Sequence, residues 1–197
     1  HSFNAFANVY ASYSRGYKGP ATTIAFASIQ GEEPVDAEES DSYEIGLKLN
    51  SPGGRWAANF AAFHTVFNNF QSQAQRPGEI ATSLLNAGDV STQGLEGELV
   101  GRPTNLTDVS LGIALIDAKI DTFPGGPCYQ GQTAAEGCVN GAQDLSGKDL
   151  PNSPDTRITF MARQSVPFET LPFDGFLQAS GYWQDEMGFS LDQDPIA

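Results

Sequence analysis

The sequence predicts an all-β chain: an antiparallel, up-and-down sheet of seven to eight long strands, the wall of a transmembrane β-barrel. Three observations carry this. In 41–50, Tyr43, Ile45, Leu47 and Leu49 alternate without error against Glu44, Gly46, Lys48 and Asn50. Successive strand residues face opposite sides, so one surface is apolar and the other polar. Opposite charges at Glu44 and Lys48 exclude a strand buried on both faces. Next, such segments run to about ten residues or more, longer than the five or six usual in globular sheets. Last, long connections (18–40, 74–89, 120–154) take turns with short ones (51–54, 102–106, 167–173). Alternate connections of an up-and-down sheet lie at the same end, which gathers the long loops at one rim. Lipid supplies no hydrogen bonds, so strands that cross it must close into a barrel. A soluble sandwich explains the alternation but not the loop asymmetry.

Taken in order, 3–17 reads as an aromatic strand with Val9, Ala11, Tyr13 and Tyr17 on one parity. The loop 18–40 follows, broken at Gly19-Pro20, Gly31 and Pro34, with an acidic cluster of Glu32, Glu33, Asp36, Glu38 and Glu39. The strand 41–50 stops at Ser51-Pro52-Gly53-Gly54, a tight turn with permissive glycines. The next strand, 55–73, has no readable face, because Trp56, Phe60 and Val66 oppose Phe63 and Phe67 with alanines between. After a loop at 74–89, strand 90–101 sets Leu95 and Leu99 against Glu96 and Glu98. Strand 107–119 sets Val109, Leu111, Ile113 and Leu115 against Ser110, Gly112 and Ala114. The longest irregular stretch, 120–154, holds both cysteines. Strand 155–166 places Ile158, Phe160, Ala162 and Val166 opposite Arg157, Thr159, Arg163 and Ser165. A last aromatic strand covers 174–187.

Composition narrows the class. A chain of 197 residues is long enough for a sizeable core, but its net charge of −14 argues against a nucleic-acid partner. No apolar run approaches the roughly eighteen residues of a membrane helix, which excludes helical spans and leaves barrel strands open. The chain starts at His1 without an initiator Met, so it reads as a piece of a longer protein. Cys128 and Cys138 lie close together in one Gly-rich stretch with no histidine near, so local disulfide pairing is expected ahead of free thiols or a metal site.

Several segments carry a family resemblance. The run 8–18, with Tyr10-Ala11-Ser12-Tyr13-Ser14-Arg15-Gly16-Tyr17, resembles a barrel strand of TonB-dependent outer-membrane receptors. The segment 38–48, with Ser42-Tyr43-Glu44-Ile45-Gly46-Leu47-Lys48, resembles a strand opening of the same family. Ala61-Ala62-Phe63-His64 running to Phe70-Gln71, then Asn86-Ala87-Gly88 with Gly94-Leu95-Glu96-Gly97-Glu98-Leu99, continue it in order. Residues 144–154 resemble the lead into one of the last strands. The resemblance implies a partial receptor barrel over 1–197, an incomplete barrel truncated at both ends. The family's plug domain, its TonB-contacting box and the final strands have no counterpart here. It also implies the bacterial outer membrane, with outer-membrane lipid, a plug and TonB as partners, and a scarce nutrient chelate such as a ferric siderophore as cargo. Cobalamin and glycans are the family's other cargoes, and no cofactor is expected.

Glu96 and Glu98 could form a hydrolytic carboxylate pair, but are expected to be lumen-facing charges paired with neighbours such as Lys48. Arg157 and Arg163 could hold an anionic ligand, but are expected to balance lumenal acids or meet a plug. Glu44 and Lys48 join these four on the predicted lumen face. His64 reads as a strand residue, and the acids of 144–155 lack calcium-loop spacing. Tyr17, Tyr43, Trp56, Phe70 and Trp183 fit interfacial girdles. Nothing is placed for bond making, so a transporter component and no enzyme is expected. A passive porin and a soluble carbohydrate-binding β-domain are the alternatives.

Overall fold

Chain order is sheet order. The computed structural model describes residues 2–4, 6–22, 34–75, 82–170 and 172–194. Its strands are β1 (Ser2–Asn4), β2 (Ala7–Lys18), β3 (Ala21–Thr22), β4 (Pro34–Val35), β5 (Glu38–Asn50), β6 (Trp56–Asn68) and β7 (Gln71–Gln75). They continue as β8 (Thr82–Asn86), β9 (Asp89–Thr104), β10 (Thr107–Thr122), β11 (Gly126–Pro127), β12 (Ala142–Gln143), β13 (Thr156–Val166) and β14 (Gly175–Gln184), with one 3-10 turn at Ala134–Glu136. Eight of them form one sheet in the order β1-β2-β5-β6-β9-β10-β13-β14, every neighbour antiparallel. This is the up-and-down wall expected from the alternation, and it is open rather than closed. Among the described residues no helix is long and apolar enough to cross a membrane, which says nothing of strands.

The long connections all leave from one end of the wall, and each carries its own two-stranded sheet: β3–β4, β7–β8 and β11–β12. At the other end the joins are short. A backbone bond from Ser51 to Trp56 closes the first turn, and bonds from Arg102 to Arg55 and from Ser165 to Leu106 tie neighbouring turns together.

Boundaries differ from the sequence reading where a distant contact decides them. The opening strand begins at Glu38, because β2 pairs with the chain from Lys18↔Glu38 onward, so Glu38 and Glu39 belong to the wall and not to the loop. Glu32 and Glu33 lie outside the described residues. The long strand expected at 55–73 ends at Asn68. Asn69 takes φ +55, a left-handed turn that asparagine tolerates, and the chain restarts as β7 in a separate sheet. Pro103, expected in a turn, lies inside β9 where the register slips between Thr107 and Val109. Such an irregularity is where a residue without an N–H fits a ladder.

Two kinds of packing hold this open structure. Along the wall, aromatic rings lie over cross-strand glycines: Tyr10 over Gly46 and Trp56 over Gly101, each a directly paired couple in which a Cβ on the glycine would overlap the ring. At the looped rim there is a true core. Ala87, Val90, Ile120 and Leu145 are fully buried there with Phe123 and Leu191, and Phe67, Phe70, Leu85 and Leu150 pack around them. Phe70, expected in an interfacial girdle, packs against this core instead.

Candidate functional site: a charged wall beneath a looped rim

The antiparallel register decides which side chains share a face. One cross-strand row runs Lys48, Asn59, Glu98, Gly112, Thr159, Tyr182. The next runs Tyr10, Gly46, Ala61, Glu96, Ala114, Arg157. Glu44 stands one row nearer the loops, opposite Phe63, and Arg163 lies toward the short turns, opposite Asp108. Glu44, Lys48, Glu96, Glu98, Arg157 and Arg163 therefore occupy one face. The same register resolves β6: Asn59, Ala61, Phe63 and Phe67 share the charged face, while Trp56, Phe60 and His64 are on the other.

Tyr10, Glu44, Lys48, Asn59, Glu96, Glu98 and Arg157 line a hollow of about 490 Å³ on the charged face. Its charges are not neutralised by one another. Among the described residues the ion pairs are Arg15–Glu39, Lys18–Glu38, Arg102–Asp108 and Lys119–Asp117, none of them in the hollow. The expected pairing of Glu96 and Glu98 with Lys48 is thus absent, for a geometric reason. Lys48 lies over the Tyr10 ring, 5.3 Å from its centre, and Glu98 accepts a 3.1 Å bond from the Asn59 amide. Arg157 and Arg163 likewise rest on rings, 5.8 Å from the centre of Tyr182 and 4.1 Å from that of Phe176. Three carboxylates (Glu44, Glu96, Glu98) against two cations (Lys48, Arg157) leave the hollow acidic.

The opposite face is apolar through its middle. Val9, Leu47, Phe60, Ile113, Ile158 and Trp183 lie in one register row, and Leu49, Ala58, Leu99, Leu111 and Phe160 in the next. Ile45, Phe60, Leu95, Leu111 and Phe160 are each about half exposed, and large apolar side chains gathered on one exposed face mark a membrane or partner surface. Exposure alone does not sort the faces: Leu47 is half-buried between Val9 and Phe60, whereas Lys48 is exposed. Toward the loops this face ends in Tyr13 and Tyr43, whose ring centres lie 5.2 Å apart. Above them it turns polar, with the Tyr13 hydroxyl donating to Asp41 at 2.6 Å. His64 sits beside Tyr43 at this border.

At the rim, Cys128 and Cys138 are joined by a disulfide, closing a ring with a sequence separation of 10. Inside the ring the Glu136 carboxylate accepts from the Thr133 N–H and hydroxyl, both at 2.8 Å. The backbone bond above all, then the hydroxyl, holds the Glu136 pKa below the usual glutamate range. Ser146 does the same for Asp144, through its hydroxyl first and its N–H second. The Gln143 amide ties the ring to the chain beyond β14, donating to the carbonyls of Pro127 and Asp192, both at 2.7 Å. Among the described residues no group of three or more His, Cys, Asp or Glu could hold a metal ion.

Sequence reasoning passed over Tyr10 and Asn59, which parity with Asn8 and Ser12, and with Ala61, could have placed on the charged face. Gln71 and Asn86 entered only as parts of the family resemblance; their partners, Gly19 and Asp36, are distant in sequence and left no local signal of the contacts.

A wall with one apolar face, one charged face and long loops at a single rim is a section of a transmembrane β-barrel. The family follows from comparison with known proteins. The model of the "TonB dependent receptor-like, beta-barrel" family matches residues 2–194, and the chain belongs to that family of bacterial outer-membrane receptors. It is 26% identical over 132 residues to an Acinetobacter baumannii protein named "Probable TonB-dependent siderophore receptor PiuA", an alignment covering 67% of this chain and 16% of that one. Among solved structures it resembles the ferric yersiniabactin uptake receptor FyuA of Yersinia pestis, with TM-score 0.60 and 19% identity over 86% of this chain and 22% of that one. It also resembles the copper transporter OprC, with TM-score 0.58 and 15% identity over 83% of this chain and 22% of that one. The chain thus spans less than a quarter of the length of each of these relatives.

Proposed function

We propose that this chain is part of the barrel of an energy-coupled receptor that imports a scarce nutrient, a ferric siderophore. The charged face is then the lumen wall and the apolar face meets lipid. The observation that carries this reading is the acidic hollow of Glu44, Glu96 and Glu98, whose carboxylates have no ion-pair partner among the described residues. On this open wall Glu96 and Glu98 are exposed to solvent; inside a closed barrel the same carboxylates would be enclosed, where unpaired charges are costly unless another surface answers them. A plug seated in the lumen supplies that surface, and TonB supplies the force that moves it. The siderophore assignment is supported by the names of PiuA and FyuA. OprC, a copper transporter of the same fold, shows why the fold by itself does not select a cargo. The reading includes no bond-making step.

Uptake tests it. Cells lacking the parent gene are expected to lose growth on one class of ferric siderophore as sole iron source, and to recover it with the intact gene but not with residues 1–197 alone. Unimpaired growth on every chelate, cobalamin and glycan offered refutes the receptor reading. Uptake that persists unchanged in a strain without TonB converts it to a passive pore.

A further inference from the structure

Three consecutive residues at the rim touch all three long connections. The Asn86 amide reaches the first: its Nδ2 donates to the Asp36 carbonyl at 3.1 Å, and its Oδ1 accepts from the Asp36 N–H at 2.8 Å. The same Nδ2 donates to the Asn69 carbonyl at 2.8 Å, closing the base of its own β7–β8 connection. Ala87 is fully buried in the rim core with Phe123 and Leu145, which belong to the third connection. Gly88 takes φ +70 and lies so close to the Thr122 carbonyl, where that connection begins, that any Cβ would overlap it. Gln71 doubles the link to the first connection. It is 95% buried, and its Nε2 donates to the carbonyls of Gly19 at 3.0 Å and Asp36 at 2.8 Å.

From this we infer that Asn86-Ala87-Gly88 is a mechanical relay: it makes the bases of the three long connections yield or tighten together. The Asn86 contacts are directional hydrogen bonds, Ala87 is fully buried, and Gly88 leaves no room for a Cβ. Displacement of the third connection's base therefore acts on Ala87 and Gly88. One residue away, Asn86 passes it to Asp36 at the mouth of the first. Packed contacts of this kind transmit displacement because they have no slack. Given the receptor reading, the consequence is that cargo gripped by one loop changes the others.

Hydrogen exchange on the intact receptor, without any cargo, tests the relay separately from transport. Loosening the third connection by Cys128→Ser with Cys138→Ser is expected to speed exchange around Asp36 and Gln71 by about fivefold, the factor corresponding to one hydrogen bond of ordinary worth. Adding Asn86→Ala should speed exchange at Asp36 with the disulfide intact, and should abolish the further response to its removal. Amides of 43–49 serve as the control for a folded wall and should not change. If loosening the ring alters exchange only within 123–150 while Asp36 and Gln71 keep their rates, the relay is refuted, and this arm does not require the Asn86→Ala variant to fold.

Discussion

Leu111 occupies the middle of the apolar face, with Leu99 and Phe160 as its cross-strand neighbours. Leu111→Arg is expected to lower the stability of the intact receptor by about 2–4 kcal/mol if that position lies at the bilayer midplane. Urea unfolding in vesicles measures it, and a loss well under that range would move Leu111 toward an interface. The Tyr10–Gly46 couple makes a second prediction. A methyl at Gly46 displaces the Tyr10 ring, and overpacking of this kind costs roughly 1–3 kcal/mol. With Tyr10→Ala already in place the ring is gone, so Gly46→Ala should then cost much less. A double-mutant cycle in which the two losses simply add would show that the ring does not rest on the glycine.

At the scale of elements, the disulfide ring and the strands behave differently. Opening the Cys128–Cys138 ring is expected to destabilise its own connection by about 2–3 kcal/mol on the chain-entropy account, with the wall strands unaffected. Intact mass under non-reducing conditions should show the bridge, and two alkylatable thiols would contradict it. The ring also carries a pH dependence. Glu136 has a lowered pKa, so its contribution is complete above the usual glutamate range and is lost as the pH falls through the lowered value. An NMR titration of its side-chain carboxyl should give a midpoint below that of glutamate in an unfolded peptide, and Thr133→Ala should raise it. The strands were legible because parity is a local signal, as in 41–50 and at Leu111, Ile113 and Leu115. The faces of β6 were not, because Phe63 and Phe67 stay on the charged face through distant contacts. Gly94 sits opposite the first, and the rim core takes the second. The unpaired state of Glu96 and Glu98 was equally hidden: sequence places Lys48 on their face, but only geometry lays it over Tyr10.

As a whole, the molecule is a wall whose two faces require different surroundings and whose described edges, β1 and β14, each lack an outer neighbour. Residues 1–197 expressed alone are therefore expected to need detergent and to associate through those edges. Light scattering after gel filtration should find no monodisperse monomer, and a sharp monomer peak in plain buffer would count against the membrane assignment. The small sheets in the long connections have a further consequence. β7–β8 closes its own ladder and hands the chain back to the wall at Asn69–Gln71 and Asn86–Gly88. β7 and β8 pair with each other and take no part in the ladder of the great sheet. The rim can therefore accept foreign hairpins: a chimaera that replaces 72–84 and keeps Leu85, which packs on the rim core, together with the joins should still insert and fold. Binding preference could then diverge quickly between relatives while the wall beneath scarcely changes.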